Sequence, residues 1–230
     1  LYRVCGMDAL EEIPGVRLSY DTGTREAVFH DGQAVSAMPL LTSILDADLV
    51  VSVAKMKTHG LSYMTGAVKN LFGSVPGLTK AKLHARFSDP DMFNRMLVDL
   101  CEFIKPGFSI VDGIVGMEGH GPSGGTPKQA GVLVASLNPY AADLACSRIM
   151  GFTPDLIPVL VDASRRGLIP ATADKLAWHG DALEKFATYF RPATKKLPGD
   201  GLRFIPRPVR ALIHRRFSPY PAIRKNCIGC

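Results

Sequence analysis

Between residues 52 and 73 the chain reads SVAKMKTHGLSYMTGAVKNLFG, which sets Lys55, Lys57, His59 and Lys69 directly behind an apolar run. Three ammonium groups and an imidazole near one cleft favour a phosphate, a carboxylate or an acidic redox cofactor through charge-assisted hydrogen bonds. Lys55 and Lys57 share a side if a strand continues through them, and Thr58 and Asn70 add polar groups nearby. Lys69 has Thr65 at i−4 and Gly66 at i−3, small residues that leave room for a ligand to approach it. The competing reading is a set of solvated lysines with His59 capping a turn.

A second cluster follows the segment SIVDGIVGME. The loop GHGPSGG, residues 119 to 125, satisfies the spacing G-x-G-x-x-G, but TPKQAGVLVAS leads from it into a strand rather than a helix. A dinucleotide fingerprint needs the third glycine to open a helix whose N-terminus meets the pyrophosphate, so that reading fails. What remains is a loop at the carboxyl end of a strand, with Asp112, Glu118, His120 and Ser123 as candidates to line a site. A plain surface turn explains the same residues.

Of the five cysteines, Cys5, Cys101 and Cys146 stand alone in apolar surroundings, where reduced thiols are usual. Cys227 and Cys230 form CIGC. A thioredoxin-like site needs a strand before the pair and a helix after it, whereas SPYPAIRKN is an extended, Pro-rich lead. The spacing also begins the ferredoxin run C-x2-C-x2-C-x3-C-P, and zinc is the competing ligand.

Several classes lack support. There is no G-x-x-x-x-G-K-[ST], no G-x-S-x-G and no H-E-x-x-H, the patterns of P-loop nucleotide hydrolysis, α/β-hydrolase chemistry and zincin proteolysis. No apolar run is long enough to span a membrane and the first residues lack a secretory pattern, so a cytoplasmic protein without membrane insertion is expected. The net charge of +6 is unevenly placed: residues 191 to 230 hold ten Lys/Arg against Asp200, which leaves the first 190 residues at −3. Aromatic residues are 8% and are not interleaved with that basic tail, so nucleic-acid binding rests on charge alone.

The elements that must position these residues are strands alternating with helices. VRLSY and EAVFH, separated by turn signals, predict a small hairpin; PLLTSILDA (39 to 47) predicts a helix and DLVVSVA (48 to 54) a buried strand. Leu61, Met64, Val68, Leu71 and Phe72 recur at helical spacing. Asp89 and Pro90 open a helix that Pro106-Gly107 stops, and Asn138 and Pro139 open another that ends at Gly151. FSIVDGIVG and AGVLVASL read as strands, TPDLIPVLVDASRRG as a further helix and DKLAWHG as an edge strand. This grammar predicts an α/β fold: an open, mostly parallel sheet with helices on both faces. The domains expected are an α/β domain over 1–190, N-terminally incomplete, a basic Pro-rich linker over 191–226, and the start of a truncated ferredoxin-like module at 227–230. A missing initiator Met and a half-complete cysteine motif are the reasons for expecting a fragment.

Taken together, ADLVVSVAKMKTHGLSYMTGAVKNLFGSVPG, IVDGIVGMEGHGPSGGTPKQAGVLVASLNPYAADLACSRIMG and NCIGC resemble the domain-of-unknown-function 362 family, strongly over residues 40 to 166. In that family a ferredoxin-like module with two [4Fe-4S] clusters often follows the domain, which implies that Cys227 and Cys230 are the first two ligands of a cluster. A more distant likeness joins His59, Lys69 in TGAVK and His84 to the nickel-pincer lactate racemase family, where the lysine carries the cofactor and histidines bind nickel or act as acid and base. Asn70 and the gap before Pro76-Gly77 depart from that pattern.

The resulting expectation is an iron-sulfur-associated redox enzyme or electron-transfer component. It has a cationic cleft for a small anionic ligand and a redox partner protein. The alternatives are an anion or nucleic-acid binding module, and a metal-assisted isomerase built on Lys69, His59 and His84.

Overall fold

A computed structural model describes residues 2–193 of the chain; Cys227, Cys230 and nearly all of the basic tail lie outside the described residues. These residues divide into two compact units, the first within residues 2–20 and the second beginning at Asp21. The first consists of two 3-10 turns, Tyr2–Cys5 and Met7–Glu12, tied by the Tyr2 hydroxyl donating to the Ser19 carbonyl at 2.6 Å. Neither turn buries a residue.

The second unit carries the fold. A two-stranded ribbon, β1 (Thr24–Val28) and β2 (Ala37–Leu41), pairs antiparallel. The predicted hairpin thus forms one segment later than expected: EAVFH contributes to β1, but its partner is AMPLL rather than VRLSY. Its turn is anchored from outside, since the Ala34 and Val35 N–H groups donate to the buried Asp99 carboxylate at 2.6 and 3.1 Å. Only Thr42–Leu45 of the helix expected over 39 to 47 is helical, as α1.

The main sheet has the order β4-β3-β5-β6, with β3 Val51–His59, β4 Tyr63–Thr65, β5 Phe108–Glu118 and β6 Thr126–Ser136. The fold is α/β, but only β3 and β5 pair parallel; β3–β4 and β5–β6 are antiparallel. The expectation of a mostly parallel sheet is therefore corrected, and connection length is the reason. A parallel pair needs a crossover of a dozen or more residues, and only the long β4-to-β5 segment supplies one. Gly60–Ser62 and the 119 to 125 loop are short enough only for hairpins.

Among the described residues, helices cover one face of this sheet, not both. Ala54, Met56, Val111, Val132 and Val134 are buried on that face, while Val51, Val53 and Leu133 on the other are 47%, 63% and 59% exposed. Against the buried face lie α2 (Ala67–Asn70) and α5 (Pro139–Ile149). Behind them pack α3 (Gly77–Arg86), α4 (Pro90–Ile104) and α6 (Pro158–Arg165).

The two best-signalled helices start as their sequences dictate. Asp89 accepts from the Asp91 and Met92 N–H groups at 2.9 and 3.0 Å, and Asn138 accepts from Tyr140 and Ala141 at 2.9 and 3.2 Å. Each cap stabilises its helix by about 1 kcal/mol. The α4 stripe buries Phe93, Met96, Leu97 and Leu100 completely, each contributing about 1.5–3 kcal/mol of hydrophobic stabilisation. Arg166, just after α6, closes the α4–α6 contact with an ion pair to Asp99 at 2.7 Å. The predicted edge strand DKLAWHG forms no strand; Ala173–Lys175 is a 3-10 turn.

Candidate functional site

β4 spans three residues and pairs only with Lys57, Thr58 and His59, which leaves the edge of β3 from Val51 to Lys55 open. α2 fills that edge. The Asn70 amide donates to the Val53 carbonyl and the Ser52 hydroxyl, both at 3.1 Å, and Ser52 donates to the Ala67 carbonyl at 3.0 Å. Asn70 thus does for β3 what a neighbouring strand would do, and its side chain fixes the helix that carries Lys69.

The other end of α2 is fixed by α5. Asp143 accepts from the Ala67 and Val68 N–H groups at 2.6 and 3.1 Å. A Cβ on Gly66 would lie 2.1 Å from the same carboxylate, so only glycine admits this approach. Burial pushes the Asp143 carboxyl up to about 7, and the two N–H donors act against that rise.

Between α2, the end of β3 and α3 lies a cleft of about 390 Å³, lined by Lys55, Lys57, Lys69, Lys80, Phe72 and His84, among others. The Lys69 ammonium stands 5.7 Å from the Phe72 ring centre and 5.8 Å from that of Phe93. His84 stacks on Phe93 at 4.7 Å and 20°, and meets Phe72 edge-on at 5.5 Å. Lys69 and His84 therefore share one aromatic floor. The carboxylate census is short: Lys55 pairs with Asp112, whereas Lys57, Lys69 and Lys80 have no ion pair among the described residues. Lys57 reaches the Pro122 carbonyl at 3.5 Å and Lys80 the Gly73 carbonyl at 3.3 Å. Lys69 has neither a hydrogen bond nor an ion pair among those residues.

Crowded cations on an apolar floor resist protonation. Burial, and then the Lys80 charge, lower the Lys69 amine to about 8. Burial lowers Lys80 as well. Although His84 is open to solvent along one side, the aromatic packing desolvates its ring, and with Lys69 this holds it below the usual imidazole range.

A family model for a domain of unknown function, DUF362, matches residues 1–148, and every residue lining the cleft lies inside that stretch. The chain belongs to the DUF362 family. A thylakoid-associated protein of Synechocystis sp. is 39% identical over 145 residues, which is 63% of this chain and 45% of that protein. The chain thus matches less than half the length of this curated relative. No solved structure matches.

Within this DUF362 domain, the expected site residues separate into those that meet and those that do not. Lys55, Lys57, Thr65, Lys69, Asn70 and His84 line one cleft. His59 does not line it. Its ring is buried and Nδ1 accepts from the Leu61 and Ser62 N–H groups at 3.0 and 3.1 Å, which assigns the proton to Nε2. Burial, then the charges of Lys69 and His84, lower this imidazole to about 3.

The remaining polar candidates hold the frame. Thr58 donates to the Gly119 carbonyl at 2.9 Å. Asp112 pairs with Lys55 and accepts from Ile114 N–H at 2.9 Å, bracing the bulge between Gly113 and Val115. Glu118 accepts from the Arg191 backbone at 3.0 Å and its guanidinium at 2.8 Å, and these bonds hold its carboxyl below the usual range. His120 and Ser123 are exposed on the loop and do not line the cleft; Pro122 represents the loop there. Cys227 and Cys230 lie outside the described residues.

Sequence reasoning missed Lys80, Phe72, Phe93 and Asp143. Lys80 and His84 sit at i and i+4 on α3, a spacing that places both on one helical face and was available in GLTKAKLHARF. No such local signal existed for Asp143.

Proposed function

We propose that this DUF362 domain binds a small anion, a carboxylate or phosphate compound, in the Lys55–Lys57–Lys69–Lys80 cleft. One observation carries the reading: three of the four lysines face the cavity without a carboxylate among the described residues. A bound anion would supply the missing charge. Each cation about 4 Å away contributes roughly 4 kcal/mol before desolvation costs at a partly shielded site. A cavity of about 390 Å³ stands at the small end of ligand pockets, so a small metabolite fits better than a nucleotide. Titration with oxalate or inorganic phosphate by calorimetry tests it: binding should occur in wild type and weaken on Lys69→Ala and Lys80→Ala.

The proposal extends to a redox role through Cys227 and Cys230, supported by the C-x-x-C spacing and by the family resemblance. A [4Fe-4S] cluster takes four thiolates, of which Cys227 and Cys230 would supply two. Cys101 and Cys146 are buried in the core, where desolvation raises their thiols, whereas Cys5 is exposed. Metal analysis of the full chain, reconstituted without oxygen, separates iron from zinc. Stoichiometric zinc without iron removes the redox part and leaves the anion cleft standing. The relative's association with thylakoids is compatible with a redox setting. No helix among the described residues is long and apolar enough to cross a membrane.

A further inference from the structure

We infer that Lys69 is a nucleophile that condenses with the carbonyl group of a small 2-oxo carboxylate held in the cleft, an inference that rests on the anion-binding reading above.

Geometry distinguishes this lysine from its neighbours. The Lys55 ammonium is tied to Asp112, Lys57 to the Pro122 carbonyl and Lys80 to the Gly73 carbonyl. Lys69 alone of the four lacks an oxygen partner among the described residues, and it projects over the Phe72 and Phe93 rings. An ammonium placed for structure alone would be expected to find an acceptor. An amine that must lose its proton and attack carbon is better without one. Desolvation beside a second cation is a recognised way to activate a lysine for this chemistry. Here burial and Lys80 lower Lys69 to about 8, so roughly a tenth of the amine is neutral at pH 7.

The surroundings define the substrate class. The carbon attacked must lie at the Lys69 nitrogen, and an anionic group must reach Lys57 or Lys80 inside a cavity of about 390 Å³. A 2-oxo carboxylate carries its charge on the atom next to the carbonyl and meets both needs with few atoms. Gly73 leaves open space along the approach, since a Cβ there would meet nothing within 4 Å. His84, stacked on the ring beneath Lys69 and held below its ordinary pKa, is placed to accept and return a proton.

The step balances without a redox partner. The amine lone pair forms the C–N bond as the carbonyl π pair moves to oxygen, which takes a proton. Nitrogen gives up both its protons, one to that oxygen and one to the departing hydroxyl, so that water leaves and C=N remains.

Pyruvate and sodium cyanoborohydride, applied to the full chain, test this by intact mass and peptide mapping. The expected result is one reduced adduct at Lys69, formed at least about tenfold faster than at any other lysine, suppressed by oxalate and absent in Lys69→Arg. Acetone, lacking the carboxylate, should give no selective adduct. Adducts spread evenly over lysines overturn the inference, and the wild-type map alone decides this even if the variant is unstable. Oxalate binding by calorimetry without an adduct overturns the nucleophile and leaves the anion cleft. No binding of oxalate, phosphate or pyruvate overturns both.

Discussion

Asp143 on α5 and Gly66 before α2 approach so closely that a Cβ on the glycine would lie 2.1 Å from the carboxylate oxygen. That contact, with the bonds to the Ala67 and Val68 N–H groups, ties the short helix bearing Lys69 to a helix almost eighty residues away in sequence. The cleft is therefore held from behind by a residue that never lines it.

Replacing Asp143 with Ala should leave two buried N–H groups without acceptors, at a cost of about 2–4 kcal/mol. Gly66→Ala should cost a comparable amount because the carboxylate must move. Denaturant unfolding of each variant measures this. Stability changes below about 0.5 kcal/mol would contradict the role given to this pair.

The amine of Lys69 should be acetylated by a water-soluble ester with a midpoint near pH 8. An ordinary lysine titrates about two units higher. Lys80 and His84 on α3, His59 on β3, and Lys55 and Lys57 in the same cleft are the titratable groups around it. Lys80→Met should move the midpoint upward by removing the neighbouring charge. Mass spectrometry of the Lys69 peptide across pH reads both values.

His59 should make the domain acid-sensitive. The unfolded imidazole takes a proton near 6.5, and the folded one refuses it until about 3. Stability from this group is thus complete above about 6.5 and lost as pH falls through that window, by at most a few kcal/mol. His59→Asn keeps an acceptor near the Nδ1 position for Leu61 and Ser62 but cannot titrate there. Its unfolding free energy should vary less between pH 4 and 7 than that of wild type.

The loop and β3 offer another point of test. A Cβ on Gly121 would sit 2.0 Å from the Thr58 carbonyl, so Gly121→Ala should push the loop and Pro122 away from Lys57. Oxalate affinity should fall severalfold, and because the atom met is β3 backbone the melting temperature should fall as well.

Much of this arrangement was legible in the chain. The helices α4 and α5 were, because Asp89-Pro90 and Asn138-Pro139 state their beginnings locally and their apolar stripes are long. Lys55, Lys57 and Lys69 were readable as one site because only the short strand β4 separates β3 from α2 in sequence. α3 was not, since it buries only Leu83 and so carries little hydrophobic periodicity. The sheet direction was misread because an apolar strand looks alike in parallel and antiparallel pairs, and a glycine loop hides a hairpin. Asp143 was invisible for a different reason: its partners are backbone N–H groups that only the folded chain brings to it.

Calorimetric titration of wild type and the Lys69→Ala/Lys80→Ala double variant with oxalate reads the anion cleft itself. Saturable binding is expected in wild type and an affinity lower by about tenfold or more in the variant, a loss of about 1.4 kcal/mol or greater. Unchanged affinity in that variant, with loss instead on Arg215→Ala/Arg216→Ala in the basic tail, would contradict it.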